Sequence, residues 1–232
     1  MKKFTYLLTL ISISLCFVQC ETNKIRQNGV HNGHEYVDLG LPSGLKWATC
    51  NVGAESPEQY GDYFAWGEVV FKGYYDWNTY QHCDGVDSTF TKYCYDSKFG
   101  LNGFTDTKTT LDPEDDVATV KWGGNWRMPT ADELQELHKY CEWIWTQQNG
   151  IFGYKVKGIN DNFIFLPAAG SMGGDILYGP NERGWYWSSS LANQSKYDKT
   201  NEATHMIFSD SNVIPNTALT RRYGFSIRAV CP

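Results

Sequence analysis

Two apolar segments near the end of the chain flank a strongly polar one, and this contrast limits the possible folds more than any other feature. Residues 185–191 (WYWSSSL) and 223–231 (YGFSIRAVC) carry the rings and branched side chains typical of buried strands. Residues 192–220, 29 in all, include 13 Asn, Asp, Ser or Thr. A polar stretch between two strands favours a segment that displays side chains, which indicates recognition rather than catalysis.

The N-terminus is typical of an export signal. Two lysines precede residues 4–18, an uncharged and mostly apolar run that is too short to span a bilayer comfortably. The run stops near Cys20, as it does in bacterial lipoprotein precursors. We therefore predict a signal peptide at 1–19 and lipidation at Cys20. A plain secretory cleavage near Ser14 is the alternative.

The charge of the processed chain limits its partners. Removal of residues 1–19 takes away two of the 20 basic residues and none of the 26 acidic ones, which leaves a net charge of −8. Nucleic acids and anionic membrane surfaces both attract clustered Lys and Arg, so we expect neither as a partner. Because Cys20 is predicted to be lipidated, the predicted location is the bacterial outer membrane, on either leaflet, with the N-terminal lipid as the only membrane contact.

The predicted domain organisation is simple. Residues 20–33 form a polar linker after the lipidated cysteine, and residues 34–232 form one domain, because no Pro-rich, Ser-rich or charged linker interrupts them. Aromatic residues make up 16% of the chain. Such a share is typical of a β-rich fold whose core contains large rings.

Five cysteines remain after the signal segment, and an exported protein is expected to form disulfides. Cys83 and Cys94 share one loop-like stretch, so we predict a bond between them that contributes about 2 to 3 kcal/mol. A second bond must come from Cys50, Cys141 and Cys231, and Cys50 with Cys141 is preferred. No CxxC spacing is present, so we predict no metal site and no cofactor.

A first helix is predicted after residue 112. Asp112 and Pro113 are typical of an N-cap and first turn, and the acids at 114–116 favour the positive end of a helix. Val117 and Val120 are then expected to face the core. The same acids could be read as a calcium site, but no EF-hand spacing surrounds them.

The second helix has a clearer start. Thr130 and Glu133 have the spacing of a capping box, and Leu134, Leu137 and Cys141 fall on one face at helical spacing.

Alternation and turn residues predict the strands. The predicted ranges are 36–39, 45–52, 152–157, 163–166, 185–190, 203–208 and 225–230. Within 203–208, Met206 and Phe208 alternate with His205 and Ile207. We expect the first pair to face the core and the second pair to face outward.

Several phrases in order resemble one family. They are WATCNVGA, GDYFAWGE, WGGNWRMPTADELQEL, IFLPAAG, YWSSS and RRYGFSIRAVC. Together they resemble the bacterial major paralogous domain (FISUMP), which is common in secreted and lipid-anchored proteins. The resemblance covers nearly all of 34–232. It implies an α+β, C-type-lectin-like fold, with two helices packed beside a twisted antiparallel sheet and long loops that present a binding surface.

The resemblance also bears on the polar segment. Some similar proteins are targets of diversity-generating retroelements, which vary the region that corresponds here to 191–223. Calcium-dependent sugar binders place a carboxylate or amide on each side of a proline, whereas Pro180 follows Gly179. Calcium-mediated sugar binding is therefore not expected.

The favoured function is a non-enzymatic module that binds a surface protein or glycan. Tyr provides rigid contact area, Asn and Ser provide adaptable hydrogen bonds, and Arg provides a planar set of hydrogen-bond donors. The predicted ligand-binding residues are Asn193, Ser195, Tyr197, Asp198, Asn201, His205, Ile207, Asp210, Asn212, Arg221 and Tyr223.

Two other function classes remain open. The domain could be a structural or adhesive subunit of a surface assembly, joined through an unpaired cysteine or an exposed edge strand. The WRMPT phrase also resembles formylglycine-generating oxidases, which need two neighbouring free thiols. Cys231 has no cysteine near it in the sequence. We therefore expect no catalytic residues.

Overall fold

The computed structural model describes residues 28–192 and 200–232, and within them it contains two α-helices and twelve β-strands. The helices are α1 (Val117–Trp122) and α2 (Ala131–Tyr140). The strands are β1 (Gly29–His31), β2 (His34–Asp38), β3 (Lys46–Ala48), β4 (Glu142–Gln148), β5 (Ile151–Lys157), β6 (Phe163–Pro167), β7 (Ser171–Gly173), β8 (Ile176–Tyr178), β9 (Arg183–Leu191), β10 (Glu202–Ser209), β11 (Asn212–Thr220) and β12 (Val230–Cys231).

The strands form four antiparallel sheets. Their orders are β1-β2-β3-β12, β11-β10-β9, β4-β5-β6 and β7-β8. A few helices beside several antiparallel sheets confirm the expected mixed α and β class. No helix in the described ranges is long and apolar enough to cross a membrane.

The first sheet joins the two ends of the described chain. β3 lies between β2 and β12, with Val37 opposite Trp47 and Val230 on the other side of Trp47. Most of the segment predicted as a strand at 225–230 is instead extended chain that makes isolated bridges, such as Tyr186 with Ser226. It still lies in the interior, since residues 224–231 are all buried.

Helix α2 confirms the predicted capping box. The Thr130 hydroxyl accepts from the Glu133 amide, and the Glu133 carboxylate accepts from the Thr130 amide. Leu134 and Leu137 are buried, as predicted. Cys141 follows the last turn as the C-cap. The local sequence therefore determines where this helix begins and which face it buries.

Helix α1 begins later than predicted. Residues Pro113–Asp115 form a 3-10 turn, and Asp116 rather than Asp112 caps the α-helix by accepting from the Thr119 amide. The expectation that Val120 faces the core is wrong, since its side chain is 50% exposed. Val117, the other residue predicted to face the core, is buried as expected.

The core is rich in aromatic side chains and forms three clusters. The first includes Trp66, Trp126, Trp187 and Phe225. The second lies between α2, β5 and the β9–β10 pair and includes Leu137, Tyr154, Tyr186 and Phe208. The third lies in the long irregular region before α1 and includes Tyr63, Tyr75, Tyr80 and Phe90.

The expected disulfides are not formed in the structure. Cys83 and Cys94 are free thiols whose Sγ atoms contact different carbonyl oxygens, those of Trp77 (3.4 Å) and Asp96 (3.2 Å). The other free cysteines in the described ranges are Cys50, Cys141 and Cys231. Proximity in sequence did not bring the sulfur atoms of the first pair together, because the intervening loop directs each side chain to its own backbone acceptor.

Arg228 connects several parts of the fold from a fully buried position. Its Nε donates to Asn51 Oδ1 at 2.9 Å, and its two terminal nitrogens donate to the carbonyl oxygens of Ala48 (3.0 Å), Thr49 (2.8 Å) and Phe165 (2.9 Å). The guanidinium thereby joins the C-terminal segment to the end of β3 and to β6. Burial of a cation is costly unless its donors find acceptors, and here four oxygens accept from the guanidinium.

Replacement of Arg228 by Met should lower the free energy of unfolding by about 3 kcal/mol or more, because four buried acceptors lose their donor. Urea denaturation followed by tryptophan fluorescence measures the change. The control is Arg222→Met, at a partly exposed arginine 3.5 Å from Asp76; it should cost less than about 1 kcal/mol. Equal losses in the two variants would contradict this role for Arg228.

Candidate functional site

The described part of the polar segment, residues 200–220, contains two strands rather than a simple loop. β10 pairs with β9 on one side and with β11 on the other, and Ser209 lies opposite Asn212. Asp210 and Ser211 are therefore the two-residue turn of a β-hairpin. The sequence did not predict β11, because its Asn and Thr residues and its proline interrupt the alternation of apolar and polar residues that is typical of a strand.

One face of this three-stranded sheet packs on the second core cluster. Met206 and Phe208 are buried there against Tyr186, which confirms the inward pair. The opposite face was expected to be open to solvent at His205, and this expectation is wrong. The His205 side chain is only 3% exposed, and its ring lies 5.1 Å from the Phe225 ring.

The extended C-terminal segment covers the sheet at His205. The Phe225 ring stacks on Trp187 with 4.1 Å between the ring centres, and Trp187 in turn contacts His205 at 5.5 Å. Strand alternation correctly placed His205 on the face opposite Met206. It could not show that a segment twenty residues away in sequence lies over that face.

Beyond the part that Phe225 covers, the same side of the β9–β11 sheet is accessible. Trp185, Ile207 and Ile214 are directly opposite one another on β9, β10 and β11, and Ile214 is 43% exposed. Tyr223 and Trp185 both flank Phe225, at 6.4 and 6.3 Å between ring centres. We call Trp185, Ile207, Ile214, Asn212 and Tyr223 the outer face.

The structure separates the predicted binding residues into three groups. Four of them are accessible on or beside the outer face, namely Ile207, Asp210, Asn212 and Tyr223. Three are buried, namely Asn201, His205 and Arg221. Four lie outside the described residues, namely Asn193, Ser195, Tyr197 and Asp198.

Arg221 is fully buried rather than displayed. Its guanidinium carbon lies 3.8 Å from the centre of the Phe90 ring, and Nη1 donates to the Tyr93 carbonyl oxygen at 3.2 Å. Desolvation by burial lowers the pKa of Arg221. Its backbone amide donates to the Asn201 carbonyl oxygen at 3.0 Å, so these two buried residues brace the base of the β10–β11 hairpin.

A concave site adjoins the turn of this hairpin, with a volume of about 480 Å³. We call it the hairpin groove. It is lined by Trp145, Phe152, Asn181, Glu182, Arg183, Ser209, Asp210 and Ser211. Only Asp210 of these residues was predicted from the sequence as a binding residue.

Three segments form the groove, and hydrogen bonds hold them together. The turn before β9 places Asn181 at a φ of +66°, where its Oδ1 accepts from the Phe152 amide at 2.6 Å. The Tyr154 hydroxyl donates to the Ser209 carbonyl oxygen at 2.9 Å. In each bond a side chain of one segment is therefore tied to the backbone of another.

The β4–β5 hairpin contributes the aromatic wall. Asn149 and Gly150 both have positive φ, as a tight Asn-Gly turn requires, and this turn puts Trp145 and Phe152 on the same face of the sheet. Their rings are parallel within 3°, with 6.0 Å between centres. The Asn-Gly pair and the alternating rings of β4 were the sequence signals for this wall, but nothing in the sequence showed which segment it would face.

The acidic residues near α1 do not leave an open cation site. Carboxylate oxygens of Asp112, Glu114 and Asp115 lie close together, but the Lys92 ammonium contacts them at 2.7, 3.0 and 2.6 Å. Desolvation by burial opposes the charge on Lys92, but the hydrogen bonds to these acids outweigh it and raise its pKa. The lysine thus supplies the positive charge that a calcium ion would provide.

The chain has no match among models of protein families, among curated proteins or among solved structures.

The burial of His205 predicts an acid-sensitive fold. Desolvation by burial lowers the pKa of His205 from 6.5 to about 3. The folded state therefore disfavours the protonated ring, so the stability that depends on the neutral ring is complete above pH 6.5 and is lost as the pH falls toward 3. At pH 4.5 the loss should reach about 2 to 3 kcal/mol.

Urea unfolding between pH 7 and pH 4.5 measures this slope, and His205→Gln should flatten it. The control is His138→Gln, at a half-buried position on α2. An unchanged slope in His205→Gln would show that other groups cause the acid sensitivity.

Proposed function

We propose that this chain is a non-enzymatic recognition module that binds a protein or a glycan at the bacterial cell surface through the outer face. The observation that carries the proposal is the placement of Ile207, Asp210 and Asn212 on the accessible side or at the turn of one sheet, with Tyr223 beside them just after β11. A rigid sheet that presents these side chains needs little ordering when a ligand binds, and this lowers the entropic cost of association.

The chemistry of the outer face suits a macromolecular ligand. Trp185, Ile207 and Ile214 form an apolar row, and polar side chains such as Asn212 lie at its edge. Arg222 lies above the Tyr223 ring at 4.5 Å. Aromatic residues and Arg surrounded by polar groups are enriched at the energetic centres of interfaces.

Replacement of Ile207 by Ser together with Tyr223 by Ala should remove binding to whole cells, because both side chains lie at the accessible surface. Fluorescently labelled protein provides the measurement. The matched control replaces Ile144 by Ser and Tyr140 by Ala, which are exposed residues outside the β9–β11 sheet. Unchanged binding by the first variant, or equal loss by both, would show that the outer face is not the binding surface.

We propose further that the α+β arrangement is the C-type-lectin-like fold of the major paralogous domain. Two helices beside antiparallel sheets and a long irregular region at 49–112 support this assignment. If the copy is a diversified one, the neighbouring DNA carries a reverse transcriptase and a near-copy of the codons for residues 185–230.

The proposed location is the outer membrane, with a lipid on Cys20 as the anchor. The predicted leader and Cys20 fall outside the described residues, so the proposal rests on the apolar run and the position of the cysteine at its end. Such an anchor would hold the domain at the membrane without a spanning helix.

Replacement of Cys20 by Ser should abolish incorporation of radiolabelled palmitate and release the protein from the membrane fraction. Cys16→Ser is a matched control inside the same apolar run, and it should remain labelled. A labelled Cys20→Ser protein, or a mature N-terminus near Ser14 in the unmodified chain, would contradict lipidation at Cys20.

The state of the cysteines supports recognition over oxidase chemistry. Burial raises the pKa of Cys141 to about 12 and also raises the pKa of Cys83, Cys94 and Cys231. Since the thiolate is the reactive form, these shifts suppress reactivity at neutral pH. No two cysteines lie close together in the described ranges, whereas an oxidase of this type needs a thiol pair.

The edge of the β9–β11 sheet also favours recognition over assembly through strand pairing between neighbouring molecules. β11 is an edge strand, but Pro215 and Asn216 together lie opposite Met206 in a bulge. Proline lacks an amide donor, and a bulge interrupts the regular edge that a neighbouring strand would need.

A further inference from the structure

We propose that the hairpin groove is a binding site for a neutral saccharide, with Phe152 as the ring on which a sugar packs. The groove is lined by residues of β4, β5, the turn before β9 and the β10–β11 turn. Trp185, Ile207 and Ile214 are not among its lining residues, although Arg183 and Ser209 also line the depression beside Ile207 and Ile214. The proposal extends the recognition function proposed above but does not depend on the outer face.

The size and rigidity of the groove suit a small oligosaccharide. A volume of about 480 Å³ lies within the range of small-molecule sites. The bonds from Asn181 to the Phe152 amide and from Tyr154 to the Ser209 carbonyl oxygen link its walls. A preformed site loses little conformational freedom on binding, which matters for a hydrophilic ligand that must give up bound water.

The aromatic wall offers an apolar surface to the ligand. Phe152 is 38% exposed, although it lies at the end of a strand face that otherwise packs into the second core cluster. It lies parallel to Trp145, so the two rings present a common orientation. The C–H face of a hexose is flat and weakly apolar, and it can cover such a ring while its hydroxyl groups remain at the edge.

The polar groups at the opposite wall match ring hydroxyls. Glu182 and Asp210 provide carboxylate acceptors, and Arg183 provides a planar set of donors. Ser209 and Ser211 add hydroxyl groups that are 3.2 Å apart and can both donate and accept. A sugar hydroxyl is itself a donor and an acceptor, so this mixture can satisfy it in several orientations.

The charge of the groove selects among saccharides. Two carboxylates and one guanidinium give the lining a net charge of −1. Sialylated, uronic-acid and phosphorylated sugars are repelled by this charge, whereas neutral hexoses and N-acetylhexosamines are not. The same charge disfavours acidic peptides as occupants.

The test uses the whole processed protein on an array that contains neutral, amino-sugar and acidic oligosaccharides, as well as basic peptides as competing occupants. The best neutral oligosaccharide is then titrated, and the Trp145 indole in the groove provides a fluorescence signal. Phe152→Ala should weaken its Kd by at least about tenfold, while Phe152→Tyr should retain most of the affinity.

Phe163→Ala is the matched control, because Phe163 is an exposed phenylalanine on β6 that faces the opposite side of the same sheet. It should bind like the unmodified protein. Ile207→Ser should also retain saccharide affinity, even where it reduces binding to cells, so the groove and the outer face can fail separately. Binding of no neutral sugar, a preference for acidic sugars or basic peptides, or an unchanged Kd in Phe152→Ala would overturn the proposal.

Discussion

The buried guanidinium of Arg228 is the contact on which the arrangement of the surface depends. Its four hydrogen bonds connect the C-terminal segment to β6 and to the end of β3, in a position that water does not reach. With that segment in place, Phe225 lies over Trp187 and His205 and closes one part of the β9–β10 surface. The outer face is the part of the same side that Phe225 leaves uncovered, so the segment that Arg228 anchors limits the extent of the proposed binding surface.

The two proposed binding regions share one hairpin but use it differently. The strands β10 and β11 contribute Ile207 and Ile214 to a broad apolar row, whereas their turn contributes Asp210 to a concave and more polar groove. Arg221 and Asn201 brace the base of the hairpin, and Tyr154 holds its tip. Attachment at both ends explains how a hairpin that contains many Asn, Asp, Ser and Thr residues can hold its described side chains in place.

Predictions from the sequence were most successful where local chemistry decides the structure. The capping box at Thr130 and the inward pair Met206 and Phe208 depend on neighbours in sequence, and both are confirmed. Some predictions were wrong where distant segments decide. The exposure of His205 depends on the C-terminal segment that packs over it, and β11 was hidden by polar residues that pair with β10. The predicted cap of α1 and the predicted bond between Cys83 and Cys94 were wrong for local reasons, because Asp116 accepts from the Thr119 amide and each cysteine contacts its own backbone acceptor.

By itself, the sequence determined the mixed class of the fold, the second helix and the polar character of the segment before the C-terminal end, because periodicity and capping act over a few residues. Only the tertiary structure decided which polar residues are accessible. Arg221 and Asp210 are both charged members of the same region, yet one is buried under aromatic rings and the other forms an exposed turn. Burial depends on which surfaces pack together, and hydrophobic contacts between segments far apart in sequence settle that question.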